Sequence, residues 1–311
     1  MKKKTCAVIY NPNSGHTLKP RYIKEYKKIL IKYGYEPKII GTEYAGHAKE
    51  IVSHLDSVDL VISMGGDGTF NEVMSGNIER KKRLVLAHIP VGTTNDIGVM
   101  FGYGKDMKQN LRNLLNGVVK GMDVCMINGR PFVYVAGFGK FLNVAYETPR
   151  ALKKKYGKIA YLIEGFKDFL RPTKLYKVTY KVNGIEKTGY YSFMLISNAN
   201  RIAGINNFYR DIKLDDNQFE VLFCNFKRRI DILRTFSVLL TTDITKVSGF
   251  EFYRTNKIEV DFEEYPKKVW CVDGEKLDRA VLKYLIENEQ NIKIMLPKKN
   301  VDKIFVSKKT F

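Results

Sequence analysis

The sequence predicts an α/β N-terminal domain on an open, mostly parallel sheet, followed by an all-β antiparallel sandwich. Three observations carry this. Short apolar runs alternate with helical patterns through the first part of the chain. Three of those runs end in loops rich in glycine, asparagine and hydroxyl residues. After residue 122 strand-like runs dominate, several of them alternating apolar and polar residues.

Residues 5–10 read as a strand that stops at Asn11-Pro12-Asn13-Ser14-Gly15, residue types that fit loops and meet phosphate through backbone N–H groups and short hydroxyls. Over 20–33, Ile23, Tyr26, Leu30 and Tyr33 share one helical face, and Gly34 ends the helix. Glu36 to Ile40 is a short strand closing at Gly41-Thr42. Residues 46–55 form a second helix with Ala48, Ile51, Val52 and Leu55 inward. Leu60 to Met64 is a buried strand that runs into Gly65, Gly66 and Gly68, with Asp67 among them; Thr69 and Asn71 then open a helical segment. A strand passing through glycines into a helix start is a phosphate-binding geometry. Glycine admits close backbone approach, and free N–H groups face the anion. A lone carboxylate there suits a divalent cation bridging phosphates. Leu84 to Ile89 is a further buried strand, ending in Pro90-Val91-Gly92-Thr93-Thr94-Asn95-Asp96. Loops that follow parallel strands gather at one sheet edge, so the three converge.

The second half reads as strands over Phe132 to Ala136, Tyr176 to Val182, Tyr190 to Ile196, Phe219 to Phe223, Glu251 to Tyr253, Lys257 to Phe262, Val269 to Val272 and Ile292 to Leu296. Asn183-Gly184 is a hairpin turn. Helical patterns over 151–170 and 228–241 interrupt the strands. The expected division is 1–124 and 125–297, with the basic tail 298–311 packing back on the first domain or fraying.

Composition narrows the function. The chain has 311 residues, 44% of them hydrophobic, enough for a large core without disulfides. Cys6, Cys125, Cys224 and Cys271 sit singly in apolar runs, and the four histidines show no metal-ligand spacing. A formal charge of +20 favours anions: nucleic acid, anionic lipid surfaces or phosphorylated substrates. It is equally the charge of a solvated basic surface. Basic runs are not interleaved with stacking aromatics, and no nucleic-acid-reading motif is present, so nucleic acid is not an expected partner. No run of eighteen apolar residues exists, and a soluble cytoplasmic protein is expected.

Gly65-Gly66-Asp67-Gly68-Thr69 with Asn71-Glu72, together with Pro90-Val91-Gly92-Thr93-Thr94-Asn95-Asp96, resembles the diacylglycerol kinase catalytic-domain family. Shorter matches extend the resemblance over nearly the whole chain. Asn11-Pro12-Asn13-Ser14-Gly15 resembles the family's first nucleotide loop, and Tyr156-Gly157-Lys158-Ile159-Ala160-Tyr161 its Gly-Lys-x-Ala-Tyr helix. Lys213-Leu214-Asp215-Asp216 resembles a loop that holds a structural magnesium in bacterial members, and Asp273-Gly274-Glu275 the Asp-Gly-Glu of the catalytic cleft. The resemblance implies an NAD-kinase/phosphofructokinase-like nucleotide domain, a sandwich domain and an active site between them. It also implies ATP as donor, magnesium, a lipid hydroxyl as acceptor at an anionic membrane surface, peripheral association there, and a homodimer.

On this reading Asn11, Pro12, Asn13, Ser14, Gly15, Gly65, Gly66, Gly68 and Phe70 cradle the nucleotide, and Thr42, Thr69, Thr93 and Thr94 offer hydroxyls. Asn71, Asn95 and Asp96 contact the nucleotide or support those that do. Asp67 helps hold the catalytic magnesium. Glu275 is the expected base on the lipid hydroxyl, with Asp273 as the alternative base or a metal ligand. Lys213, Asp215, Asp216 and Gln218 form the second magnesium site. Asn217 stands where glycine is frequent, and asparagine tolerates the left-handed conformation that turn requires. Three readings compete: a lipid kinase (diacylglycerol, sphingoid base, ceramide or polyprenol), an NAD kinase, and a nucleotide-regulated membrane-surface binding protein.

Overall fold

A computed structural model of the chain describes residues 3–14, 20–92, 95–140, 173–199, 201–202, 205–206, 209, 211–228, 231 and 249–306. Gly15, Thr93, Thr94, the 151–170 helix with its Tyr156–Tyr161 motif, and most of 228–241 lie outside these residues. The chain divides into two units, Met1–Asp123 with Gln290–Phe311, and Val124–Glu289.

The first unit alternates strand and helix: β1 (Lys4–Tyr10), α1 (Pro20–Lys32), β2 (Tyr35–Gly41), α2 (His47–His54), β3 (Leu60–Gly65), α3 (Asp67–Ile78), β4 (Leu86–Pro90), α4 (Asp96–Met100) and α5 (Met107–Leu115). The strands pair in parallel in the order β2-β1-β3-β4. From β1 the chain steps outward to β2, then crosses back to β3 on the other side. The β1/β3 boundary is therefore the topological switch point, where open α/β sheets bind ligands. Every residue of β3 and β4 is buried, which is why they read as unbroken apolar runs. Helix α3 begins at Asp67, two residues before the expected start at Thr69, with extended Gly66 as its N-cap. Helices α4 and α5 were not read from the sequence. The signal for α5 was Asp106, whose carboxylate accepts from Lys108 N and Gln109 N as an N-cap.

The core of this unit includes a histidine. His88 on β4 is fully buried, its ring 4.8 Å from that of Phe70. Neither ring nitrogen makes a hydrogen bond of good geometry, and burial pushes the imidazole down to about 3, the nearby Ser63 backbone opposing only in part. The folded value lies below the ordinary 6.5, so below that pH the unfolded chain takes up the proton first. Stability is intact above pH 6.5 and falls as pH drops toward 3, by up to roughly 5 kcal/mol over the window. His88→Leu is expected to remove this component. The check is urea midpoints of both proteins between pH 7 and pH 4; parallel declines would exclude His88 as a source of acid lability.

The second unit is a sandwich of antiparallel sheets. Its strands are β5 (Val118–Ile127, of which Val124–Ile127 belong to this unit), β6 (Arg130–Phe132), β7 (Val135–Gly139), β8 (Tyr176–Val182), β9 (Ile185–Tyr191), β10 (Phe193–Ser197), the short pair β11 (Arg201–Ile202) and β12 (Ile205–Asn206), β13 (Phe219–Cys224), β14 (Phe250–Thr255), β15 (Lys257–Phe262), β16 (Cys271–Val272), β17 (Glu275–Lys276) and β18 (Lys283–Leu296). One sheet runs β14-β13-β10-β7-β16-β17. The other runs β9-β8-β15-β18, with β5 joining β18 to β6. Alternate residues point inward between the sheets: Tyr176, Val178, Tyr180 and Val182 from β8; Phe219, Val221 and Phe223 from β13; Trp270 and Phe138 beside them. The buried Tyr180 hydroxyl donates to Glu251 Oε2 at 2.5 Å, and Tyr191 to Oε1 at 3.1 Å, so a β14 carboxylate serves phenols of the opposite sheet. Asn183 and Gly184 take positive φ of 49° and 77°, as a two-residue hairpin requires.

Several expected strands are altered. Tyr190 to Ile196 is split at Ser192: Tyr190 and Tyr191 end β9 in one sheet, and Phe193 onward forms β10 in the other. Phe132 to Ala136 is broken at Val133 and Tyr134, whose N–H groups turn to the Asp273 carboxylate instead of a ladder. Val269 to Val272 shortens to Cys271–Val272. By contrast, β18 is longer than the run read at its end. From Gln290 it belongs to the first unit, where Ile294 pairs in parallel with Leu86 on β4, and α6 (Val301–Ile304) follows it.

Candidate active site

Strands β1, β2, β3 and β4 end level with one another: Tyr10 pairs with Gly41 and with Met64, and Met64 with Ile89. The loops leaving them are stitched together. Asn11 N donates to Met64 O at 3.1 Å, Val91 N to Gly65 O at 2.8 Å, and Thr42 N to Tyr10 O at 2.9 Å. Within the first loop Asn11 Oδ1 accepts from Asn13 N and its carbonyl from Ser14 N, a side-chain-closed turn. Asn11 Nδ2 also reaches Thr69 Oγ1 at 3.5 Å.

Close approach explains the glycines. A side chain on Gly92 would meet the Gly66 backbone at 2.7 Å, and one on Gly65 would meet Thr69 Oγ1 at 2.4 Å. Gly66 lies against both Gly92 and Ser14, so the three loops touch at one point. Gly68 is already inside α3, where its N–H is one of the free amides of the first turn. The result is a backbone-lined cradle at the switch point, with the N-terminus of α3 aimed into it. It is suited to an anion such as a pyrophosphate.

Asp67 ties this cradle to the fourth strand. Its Oδ2 accepts from Asp96 N at 3.1 Å and its Oδ1 from Ile97 N at 3.3 Å, so it caps the first turn of α4. Asn95 precedes that turn at φ 51° and donates through Nδ2 to Gly92 O at 2.7 Å. Thr42, Thr69, Asn71 and Asp96 are nearly buried. Phe70 is wholly buried between His88 and Phe101, where it packs the helix that carries the cradle. Glu72, noted in the sequence without a role, accepts from Gly46 N at 2.9 Å and Ala48 N at 3.1 Å and thereby caps α2.

In the second unit the Asp-Gly-Glu segment is a hairpin. Asp273 and Gly274 are its two turn residues, at φ 48° and 86°, between β16 and β17. The Asp273 carboxylate accepts from Val133 N at 2.8 Å, Tyr134 N at 3.0 Å and Val135 N at 2.9 Å. It is a pin that holds the β6–β7 break. Glu275 is exposed and reaches Arg130 Nη2 through Oε2 at 3.2 Å, while Arg130 Nη1 holds the Lys276 carbonyl at 3.1 Å. Arg130 thus fixes both side chain and backbone at Glu275. Nothing in the sequence marks it, because its partners lie 145 and 146 positions away.

The 213–218 turn forms as the asparagine allows: Asn217 is at φ 58°, and Gln218 N donates to Asp216 Oδ1 at 3.1 Å. Burial raises the Asp216 carboxyl; the Gln218 N–H and the Arg254 guanidinium oppose the shift in part, and the neighbouring Asp215 adds a little to it. Partly buried acids crowded in this way are relieved by a cation, and an all-oxygen set of carboxylate and turn carbonyls suits magnesium. Among the described residues no three Asp, Glu, His or Cys side chains gather as a metal cluster, so backbone carbonyls of Lys213 and Gln218 would have to complete the shell.

A family profile described as diacylglycerol kinase catalytic domain matches residues 5–127. The diacylglycerol kinase of Staphylococcus epidermidis (strain RP62A) is 31% identical over 298 residues, 95% of this chain and 93% of that protein. The diacylglycerol kinase of Bacillus subtilis (strain 168) is 29% identical over 277 residues, covering 88% and 90%. A solved diacylglycerol kinase of Bacillus anthracis Sterne superposes with TM-score 0.72 at 20% identity, over 95% of this chain and 98% of that one, which shows a shared fold.

Proposed function

The chain belongs to the diacylglycerol kinase family, phosphotransferases with an alcohol acceptor, and from that premise we propose that it moves the γ-phosphoryl group of ATP to a lipid hydroxyl, that of diacylglycerol. The observation that carries the ATP reading is the meeting of the loops after β1, β3 and β4 around Gly66 at the switch point. Main-chain N–H groups of the cradle and the start of α3 take the phosphates, positioning the donor without covalent chemistry. Asn11 and Ser14 close one side, and Asn95 the other. Asp67 holds α4 against the cradle and is the carboxylate that would meet a magnesium ion there. That ion, when bound, neutralises phosphate charge.

Glu275 takes the proton of the acceptor hydroxyl as it attacks phosphorus; Arg130 orients it, and Asp273 keeps the hairpin in place. Asp215 and Asp216, with the carbonyls of Lys213 and Gln218, hold a second magnesium that fastens the 213–218 turn. Among the described residues no helix is long and apolar enough to cross a membrane. The +20 charge supports peripheral residence on an anionic bilayer, where the acceptor lies.

The test is a panel of acceptors in mixed micelles with labelled ATP and magnesium: diacylglycerol, a sphingoid base, ceramide and a polyprenol, with soluble NAD alongside. Labelled phosphatidic acid as the main product is expected. Label in another lipid would reassign the acceptor, and label in NADP would reject the lipid reading.

A further inference from the structure

The loop after β2 carries a feature that phosphate binding does not use. Tyr44 and His47 stack face to face, ring centroids 4.5 Å apart and planes 4° from parallel. The Tyr44 hydroxyl donates to Glu50 Oε2 at 2.5 Å, and His47 Nδ1 accepts from Glu43 N at 3.1 Å, which leaves the ring proton on Nε2. The turn beneath is fixed as well: Gly46 sits at φ 89°, and Glu72 holds the N–H groups of residues 46 and 48. Tyr44 is nonetheless 54% exposed, and no other tyrosine, phenylalanine or tryptophan among the described residues of the first unit is exposed. His47 covers one face of its ring, and the other is open. Fixing a long side chain costs entropy, and a solvated tyrosine ordinarily escapes that cost.

Its place in the sheet gives the ordered ring a use. Strand β2 adjoins β1, so its loop lies one to two strand spacings, about 5–10 Å, from the β1/β3 cradle. A nucleotide with its phosphates on the cradle extends its base over a neighbouring loop, toward β2 or toward β4. On the β4 side α4 is drawn in by Asp67 and Asn95. On the β2 side stands an open aromatic face. We infer that Tyr44, backed by His47, is the platform on which the purine base of the bound nucleotide stacks. Every base presents a π-face, so this contact supplies affinity and orientation for the base, while the cradle reads the phosphates.

The inference rests on the proposed nucleotide reading of the cradle, and one experiment separates the two. Calorimetric titrations of the full chain with Mg-ATP and with Mg-tripolyphosphate, which lacks a base, compare the native protein with Tyr44→Ala and Tyr44→Phe. Tyr44→Ala is expected to weaken ATP on the order of ten-fold and leave tripolyphosphate unchanged. Tyr44→Phe, which keeps the ring and loses the Glu50 bond, should bind ATP as the native chain does. Equal ATP affinity in Tyr44→Ala, equal losses for both ligands, or a Tyr44→Phe loss matching that of alanine would each overturn the platform. A native chain that binds neither ligand would overturn the cradle reading itself. Tyr44→Trp adds an independent readout, because the chain's single tryptophan, Trp270, is buried in the other unit. Its exposed emission should be quenched by ATP and not by tripolyphosphate; no ATP quenching would count against stacking.

Discussion

Glu275→Gln is expected to lower kcat by roughly 10²- to 10⁴-fold, the usual worth of a positioned general base, while leaving the melting temperature unchanged. Glutamine keeps the shape and can still accept from Arg130, so the donor and acceptor sites survive; what it cannot do is take a proton. The stability half of the expectation follows from exposure. The Glu275 side chain is 53% accessible, and its single ion pair with Arg130 is partly solvated. Such a pair is worth about 0–1 kcal/mol. Initial rates at saturating ATP and lipid, beside thermal melts, make the check. A variant within a few-fold of the native rate would remove Glu275 from the base role.

Asp273→Ala is expected to act in the opposite way, costing roughly 3–5 kcal/mol of stability. Three backbone N–H groups, of Val133, Tyr134 and Val135, lose a charged acceptor at once, in a segment whose Val133 and Tyr134 are buried. The β6–β7 break has no ladder partner to offer them. Alanine must also hold the φ of 48° that the Asp-Gly turn imposes, a conformation asparagine accepts and alanine resists. Asp273→Asn, which keeps one amide oxygen as acceptor and tolerates that φ, should lose less than half as much and retain turnover. Urea midpoints of the three proteins decide it. An alanine variant with the native midpoint would show that the pin is dispensable, and an asparagine variant that is stable but inactive would return Asp273 to the chemistry.

The pair also shows where sequence reasoning stops. Asp-Gly-Glu drew attention to both carboxylates, and nothing in the three letters divides the roles. The division comes from residues 138–145 positions away: the broken strand that Asp273 holds and the Arg130 that holds Glu275. Asp67 is a similar case. Its place among glycines suggested a metal contact, and the fold adds a cap on α4 thirty residues on. Phe70 was read with the nucleotide loop because it is next to Thr69, and helical geometry turns it inward onto His88 instead.

What the sequence determined by itself is what local rules control. Apolar runs set the parallel strands. Glycine and asparagine placed the three loops, the Asn183-Gly184 hairpin and the left-handed Asn217. Periodicity gave α1 and α2. These follow from φ/ψ preference and burial, which act between residues close in the chain. Only the tertiary structure decided which groups are consumed and which stay available. The Asp273 oxygens are filled and Glu275 is oriented and open; one face of Tyr44 is covered and the other is free. Those outcomes depend on backbone N–H groups and rings brought together from distant segments. A hydrogen bond or a stacked face exists only once the fold has placed both partners within a few ångströms.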